Sequence, residues 1–299
     1  MAWFSLNIQN PSSMDKLPES LLLEILSRLD NSADVARCRF ASKAFNNVFP
    51  DLRSINLLCS WRGTSGSISS SCFKKGFLDF ISKLRVVESV CISLHDAIGV
   101  DPVDAGFLME WLPRVSQTLK LLSFVDGPAA FTAKKFENLK TLWLESFYIG
   151  FLLSEFPTMK TVETLILDSR NIAPRDARDS KLTLGKVFMV FPNLSSLRIN
   201  SGAWSELEAC LDPQGWEILD ESKGLKTIYA YLMLVDPSLT FSYVACLLDQ
   251  CVGLSVVSLL IHCGVDSTQC KSFRSKEYIE GPYHLFCALD LSIIPSTVE

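Results

Sequence analysis

The chain has 299 residues, of which 48% are hydrophobic and 20% charged, and carries a formal net charge of −5. That profile excludes a disordered polymer and allows an ample core, in one elongated or two compact domains. No block of basic residues points to a nucleic-acid or membrane-surface partner, and no run reaches the roughly 18 apolar residues of a membrane span.

In chain order, residues 1–13 read as a flexible N-terminus without the basic region and long apolar run of a signal peptide. Organised structure is expected to start in the stretch Leu17 to Phe49. Leu17-Pro18 suits a helix start because proline fixes φ there. Leu21, Leu22, Ile25, Leu26 and Leu29 then recur at helical spacing and form one apolar stripe. A break at Asp30-Asn31-Ser32 follows, with Ser32 placed to cap a second helix. That helix carries Val35, Ala36, Phe40, Ala44, Phe45 and Val48 on its apolar side. Two helices of this length cannot bury so much apolar surface against each other alone, so a partner is required, either the rest of the chain or another protein.

The order Leu-Pro, LLLEILSRL, second helix resembles an F-box, the motif that docks a Skp-family adaptor within cullin-based ubiquitin ligases. Two features depart from the plant pattern: Phe45 stands where tryptophan is frequent, and the linker from Asp30 to Asp34 lacks proline. The resemblance implies an F-box over residues 14–50, with Leu17, Pro18, Leu22, Ile25, Leu26, Leu29, Val35 and Phe45 against the adaptor. The other reading of the same pattern is an amphipathic hairpin packed on its own domain.

From Leu52 onward one pattern returns: apolar, two residues, apolar, one residue, apolar. It appears as Leu52-Ile55-Leu57, Val87-Val90-Ile92, Leu119-Leu122-Phe124, Leu139-Leu142-Leu144 and Val162-Leu165-Leu167. It continues as Leu194-Leu197-Ile199, Leu225-Ile228-Ala230, Leu254-Val257-Leu259 and Phe286-Leu289-Leu291. Leading residues are spaced by 35, 32, 20, 23, 32, 31, 29 and 32 positions. The inner alternation is that of a short strand with one buried face, and its recurrence is the signature of a solenoid. Helical patterns lie between strands at Phe77 to Leu84, Phe107 to Val115 and Tyr243 to Cys251.

The segments before three strands, Phe136 to Leu139, Phe191 to Leu194 and Cys251 to Leu254, resemble the lead-in of leucine-rich repeats. The fold class is therefore α/β: a helical F-box followed over residues 51–299 by an irregular leucine-rich-repeat solenoid, a horseshoe of about eight or nine units. Trp61 to Ser71, Arg170 to Ser180, Asp212 to Gly215 and Asp266 to Pro282 are expected loops. No capping helix is evident after the last candidate strand.

Catalytic chemistry finds little support. The three histidines at 95, 262 and 284 fall in no hydrolase or metalloprotease motif, and no Gly-rich phosphate loop occurs. Cys246, Cys251, His262, Cys263 and Cys270 lack the CxxC knuckle of a zinc site, and buried thiols account for them better. Cys72 beside Lys74 and Lys75, in an expected loop, is the one basic setting for a thiol, and a solvated lysine pair explains it. The ten cysteines follow no regular spacing, as in a cytoplasmic or nuclear protein with reduced thiols. No cofactor, metal or catalytic residue is assigned.

In a leucine-rich horseshoe the strands line the concave face. Residues between the buried positions then point outward: Trp143 and Glu145, Ile166 and Asp168, Arg198 and Asn200, Tyr229 and Tyr231. Aromatic and arginine side chains are enriched at binding hot spots, which makes this row the candidate target-binding surface. The resemblance implies a non-catalytic receptor subunit of a Skp–cullin–F-box ligase, binding the adaptor, and through it cullin, with its helices and an unknown target with its repeats. A scaffold without ligase assembly and a ligand-assisted co-receptor are the alternatives.

Overall fold

A computed structural model describes residues 16–29, 31–60, 70–95, 105–125, 136–146, 149–154, 156–169, 182–210, 224–232, 234, 236–251 and 253–261. The expected strand at Phe286 to Leu291 and the loops at 170–180, 212–215 and 266–282 lie outside them, as does most of the expected loop at 61–71.

The N-terminal region is three helices, not two. Helix α1 spans Glu19–Ser27, α2 Ser32–Ala41 and α3 Lys43–Val48, followed by a 3-10 turn at Phe49–Asp51. Pro18 stands at the start of α1 with its carbonyl accepting from the backbone N–H groups of Leu21 and Leu22, both at 3.0 Å. The cap of α2 is Asn31 and not Ser32: its side chain accepts from the Ala33 N–H at 2.9 Å. Ser42 breaks the expected long second helix by adopting extended backbone, and its hydroxyl oxygen accepts from the Ala44 N–H at 3.1 Å to start α3. The break shifts the helical phase. Val35, Phe45, Val48 and Phe49 turn inward, while Phe40 is 94% exposed instead of lying on the buried side.

Among the described residues eight strands follow: β1 Ser54–Ser60, β2 Ser89–His95, β3 Leu121–Val125, β4 Thr141–Ser146, β5 Thr164–Ser169, β6 Ser196–Ile199, β7 Thr227–Leu232 and β8 Val256–Ile261. They form one all-parallel sheet in strict sequence order. Among the described residues six helices lie between them: α4 Ser70–Ser82, α5 Ala105–Val115, α6 Ile149–Ser154, α7 Leu184–Val190, α8 Ser201–Ala209 and α9 Pro237–Gln250. Successive right-handed crossovers in a sheet of this order place the connecting helices on a single face. Helix α4 begins at Ser70, so Ser70, Ser71 and Cys72 belong to a helix rather than to the expected loop.

The recurring apolar triplet explains the register. Ile55, Val90, Leu122, Leu142, Leu165, Leu197, Ile228 and Val257 pair strand to strand in one row, and all are buried. Shifting any strand by one residue would turn this row out to solvent, so burial fixes the register. The leading residues, from Leu52 through Leu254, are buried just ahead of each strand. Phe136, Phe191 and Cys251 are buried at equivalent lead-in positions. Lead-in side chains also tie each strand to its predecessor. Asn193 Nδ2 donates to the Lys160 carbonyl at 2.7 Å, Thr118 Oγ1 to the Val87 carbonyl at 2.7 Å and Thr161 Oγ1 to the Phe136 carbonyl at 2.9 Å.

The helices and the sheet share one core. Leu22, Leu26, Val35, Phe45 and Phe49 belong to the same buried cluster as Leu52, Ile55 and the sheet leucines. Phe49 meets Phe80 of α4 edge-on at 4.8 Å, and Phe77 of α4 meets Trp111 of α5 at 5.1 Å. Among the described residues no helix is long and apolar enough to cross a membrane.

Candidate functional site

Two surfaces emerge. On the helical region, the eight expected adaptor residues separate into two groups. Leu22 and Leu26 of α1, Val35 of α2 and Phe45 of α3 are buried in the shared core, so they support the hairpin and offer no contact atoms. Pro18 is exposed, and Leu17, Ile25 and Leu29 are half-buried against the core with one side turned to solvent. Leu21, 45% exposed, and Phe40 join them as the large apolar side chains left uncovered on α1 and α2. Leu21 was visible in the helical stripe, whereas the exposure of Phe40 depends on the break at Ser42.

On the sheet, the residues alternating with the buried row form the open face, exposed or half-buried except at Ser123, which is buried. Asn56, Cys91, Ser123, Trp143, Ile166, Arg198, Tyr229 and Ser258 are in register across it. Trp143 is 36% and Tyr229 41% exposed, Arg198 is exposed and Ile166 half-buried. One row further along the strands, Glu145 and Asp168 pair in register, and Tyr231 is half-buried.

Asn200 departs from expectation. It lies one residue past β6 and caps α8, its Oδ1 accepting from the Ala203 N–H at 2.8 Å and the Ser169 N–H at 3.0 Å. Its Nδ2 donates to the Asp168 carboxylate and to the Ser169 carbonyl. The short β6 ends before the outward phase reaches this position, so Asn200 ties β5 to α8 rather than presenting a free amide.

Electrostatics on the sheet is local. At the lead-in positions Arg53 Nη1 lies 2.9 Å and Lys120 Nζ 3.1 Å from Glu88 Oε1, while Lys140 pairs with Glu163. The hydrogen bond from Lys120 holds the Glu88 carboxyl below the usual range, assisted by the positive charges of Lys120 and Arg53. Burial pushes the Cys91 thiol up; the negative charge of Glu145 adds to this, and a hydrogen bond with Ser123 opposes it. A thiol of that kind is a poor nucleophile.

Beneath the face, helix α8 buries two carboxylates. Glu206 Oε1 accepts from the Ile149 N–H at 3.0 Å and the Ser169 hydroxyl at 2.5 Å, and its Oε2 accepts from the Gly150 N–H at 3.1 Å. Glu208 Oε1 accepts from Trp204 Nε1 at 2.7 Å and from the Thr240 hydroxyl. These are structural anchors: each joins α8 to a neighbouring element. Among the described residues no group of three or more His, Cys, Asp and Glu is arranged to hold a metal. Of the cysteine and histidine set around residue 251, Cys251 is buried, the Cys246 side chain is not described, and His262, Cys263 and Cys270 lie outside the described residues.

The chain thus carries an N-terminal helical cluster with uncovered apolar residues, followed by a parallel sheet whose far face is partly exposed. The F-box-like family model matches residues 14–54. An F-box/LRR-repeat protein of Arabidopsis thaliana is 29% identical over 189 residues, covering 53% of this chain and 42% of that protein. An F-box protein of the same plant is 26% identical over 206 residues, 62% of this chain and 43% of its own length. The chain is thus similar to plant F-box and F-box/leucine-rich-repeat proteins, and it spans about two fifths of the length of these curated relatives.

Proposed function

We propose that this chain is the substrate-recognition subunit of a Skp–cullin–F-box ubiquitin ligase, non-catalytic in itself. Residues 14–50 act as the F-box, and residues 51–299 as a leucine-rich-repeat solenoid that holds a target protein. The observation that carries this reading is the uncovered apolar surface of α1 and α2 within the stretch that the F-box-like model matches.

Pro18, Leu21 and Phe40, with the outer edges of Leu17, Ile25 and Leu29, form the adaptor contact; the buried Leu22, Leu26, Val35 and Phe45 hold that surface in shape. Cullin is reached through the adaptor. The target lies on the concave sheet face against Trp143, Ile166, Arg198, Tyr229 and Tyr231, with Glu145 and Asp168 beside them. Catalysis arises when the target lysine is held at high effective concentration beside the charged conjugating enzyme, so this chain needs no active site or cofactor. The cytoplasm and nucleus are where such a ligase works.

The test is copurification of a plant Skp-family adaptor with wild type and with the Leu17→Ala/Pro18→Ala variant. The variant is expected to lose the adaptor while keeping its folded spectrum. Equal retention would rule out this docking surface. A second reading, a scaffold whose helices only cover the β1 edge, draws on the core that the helices share with β1. It is favoured if neither protein retains adaptor.

A further inference from the structure

We infer that Arg198 receives the carboxylate of an aspartate or glutamate side chain in an extended partner segment, one whose apolar residue rests on Trp143. This rests on the reading of the open sheet face as the target surface and names the chemistry of the target.

Arg198 is exposed on β6, in register between Ile166 on β5 and Tyr229 on β7. Within the described structure no carboxylate lies in ion-pair reach of its guanidinium, although four basic residues of the strand lead-ins, Arg53, Arg85, Lys120 and Lys140, and Lys83 just past α4 are paired. An arginine held between an aliphatic and an aromatic neighbour on a rigid strand keeps its planar fork oriented. That fork matches a carboxylate through two parallel hydrogen bonds.

The number of charges selects the anion. Among the described residues, the outward positions of the eight strands carry Arg198 as their sole arginine or lysine, and Glu145 and Asp168 lie one row away. Phosphate-recognition surfaces use clusters of arginine. One guanidinium offsets a single negative charge, and the two carboxyl side chains a row away oppose any further one, so a monoanion is admitted and a dianion disfavoured.

Geometry sets the spacing. Trp143 lies two strands from Arg198, about 10 Å at the usual strand separation, which about three residues of extended chain cover. The recognised segment thus carries a large apolar residue about three positions from the acid, and Tyr229 flanks the acid on the far side.

The experiment is selection of random 12-residue peptides displayed on phage against the full chain bound to its adaptor, followed by titration of one enriched synthetic peptide. Enrichment of aspartate or glutamate about three positions from an apolar residue is expected. Affinity is expected to fall at least about tenfold in Arg198→Ala, to recover partly in Arg198→Lys, and to fall in Trp143→Ala. Thermal melting of all three variants should match wild type. A peptide that gains affinity when its acid is replaced by phosphoserine would overturn the carboxylate assignment. So would peptides that lose binding in Trp143→Ala and Tyr229→Ala but not in Arg198→Ala, although the open face would then stand as a target surface. Peptides indifferent to all of these substitutions, or no enrichment at all, would overturn both.

Discussion

The Ser169 hydroxyl donates to Glu206 Oε1 at 2.5 Å, joining the end of β5 to the inside of α8 across 37 residues of chain. The same carboxylate receives the first two N–H groups of α6, so one buried side chain fixes three elements behind the open face. Removing it orphans three donors in a site closed to water, and charged hydrogen bonds are costly to break there. Glu206→Ala is expected to lose roughly 3 kcal/mol or more of unfolding free energy in urea titration. Glu206→Gln should lose less, because it keeps one acceptor while setting an amide hydrogen against a backbone N–H.

Asn200 is expected to behave as a cap and not as a contact residue. Asn200→Ala should destabilise by about 1–3 kcal/mol in the same titration, through loss of the α8 cap and of the bonds to Ser169. Peptide affinity at the open face should hold at temperatures where the variant is folded. Arg198→Ala should show the converse, with stability kept and binding lost.

Cys91 gives a pH test. Its folded thiol is pushed above its ordinary value by burial, so the protonated form is favoured by folding. The resulting contribution to stability is complete below the unfolded thiol value and disappears as pH rises through the folded one. Alkylation of Cys91 by iodoacetamide at pH 7.5, followed by mass spectrometry, should be slower than that of a cysteine in an unstructured peptide, and Glu145→Gln should speed it.

Glu88 carries the opposite sign. Lys120 holds its carboxyl below the usual range, so its contribution is present above the unfolded carboxyl value and is lost as pH falls through the folded one. Glu88 lies at the surface, where screening keeps such pairs weak. Replacing it with glutamine should therefore lessen the acid-side loss of stability only slightly, as read from melting temperature between pH 3 and pH 6.

The described strands were legible because apolar residues recur in them at a period of two, six strands carrying two or three buried ones and β1 and β3 the buried Ile55 and Leu122, and a parallel sheet repeats that demand strand after strand. Helices α6, α7 and α8 were not. Ile149–Ser154 and Leu184–Val190 are short and apolar on most sides, so no helical stripe stands out. In α8, Glu206 and Glu208 resemble a solvent face, yet both are buried because donors from α6, β5 and α9 reach them. The same limit affected the candidate sites. Trp143, Arg198 and Tyr229 followed from strand phase, but Asn200 lies just past the end of β6. Phe40 falls on the inward side only for a helix that runs straight through Ser42, where the backbone turns extended.

The most direct measurement for the central claim is carbene footprinting of the full chain, alone and with a purified Skp-family adaptor, read by mass spectrometry. Labelling of Pro18, Leu21 and Phe40 is expected to fall on adding the adaptor, while that of Phe151 and Met189, exposed on α6 and α7, stays unchanged. Unchanged labelling of Phe40 and Leu21 in a complex that demonstrably forms would contradict the account.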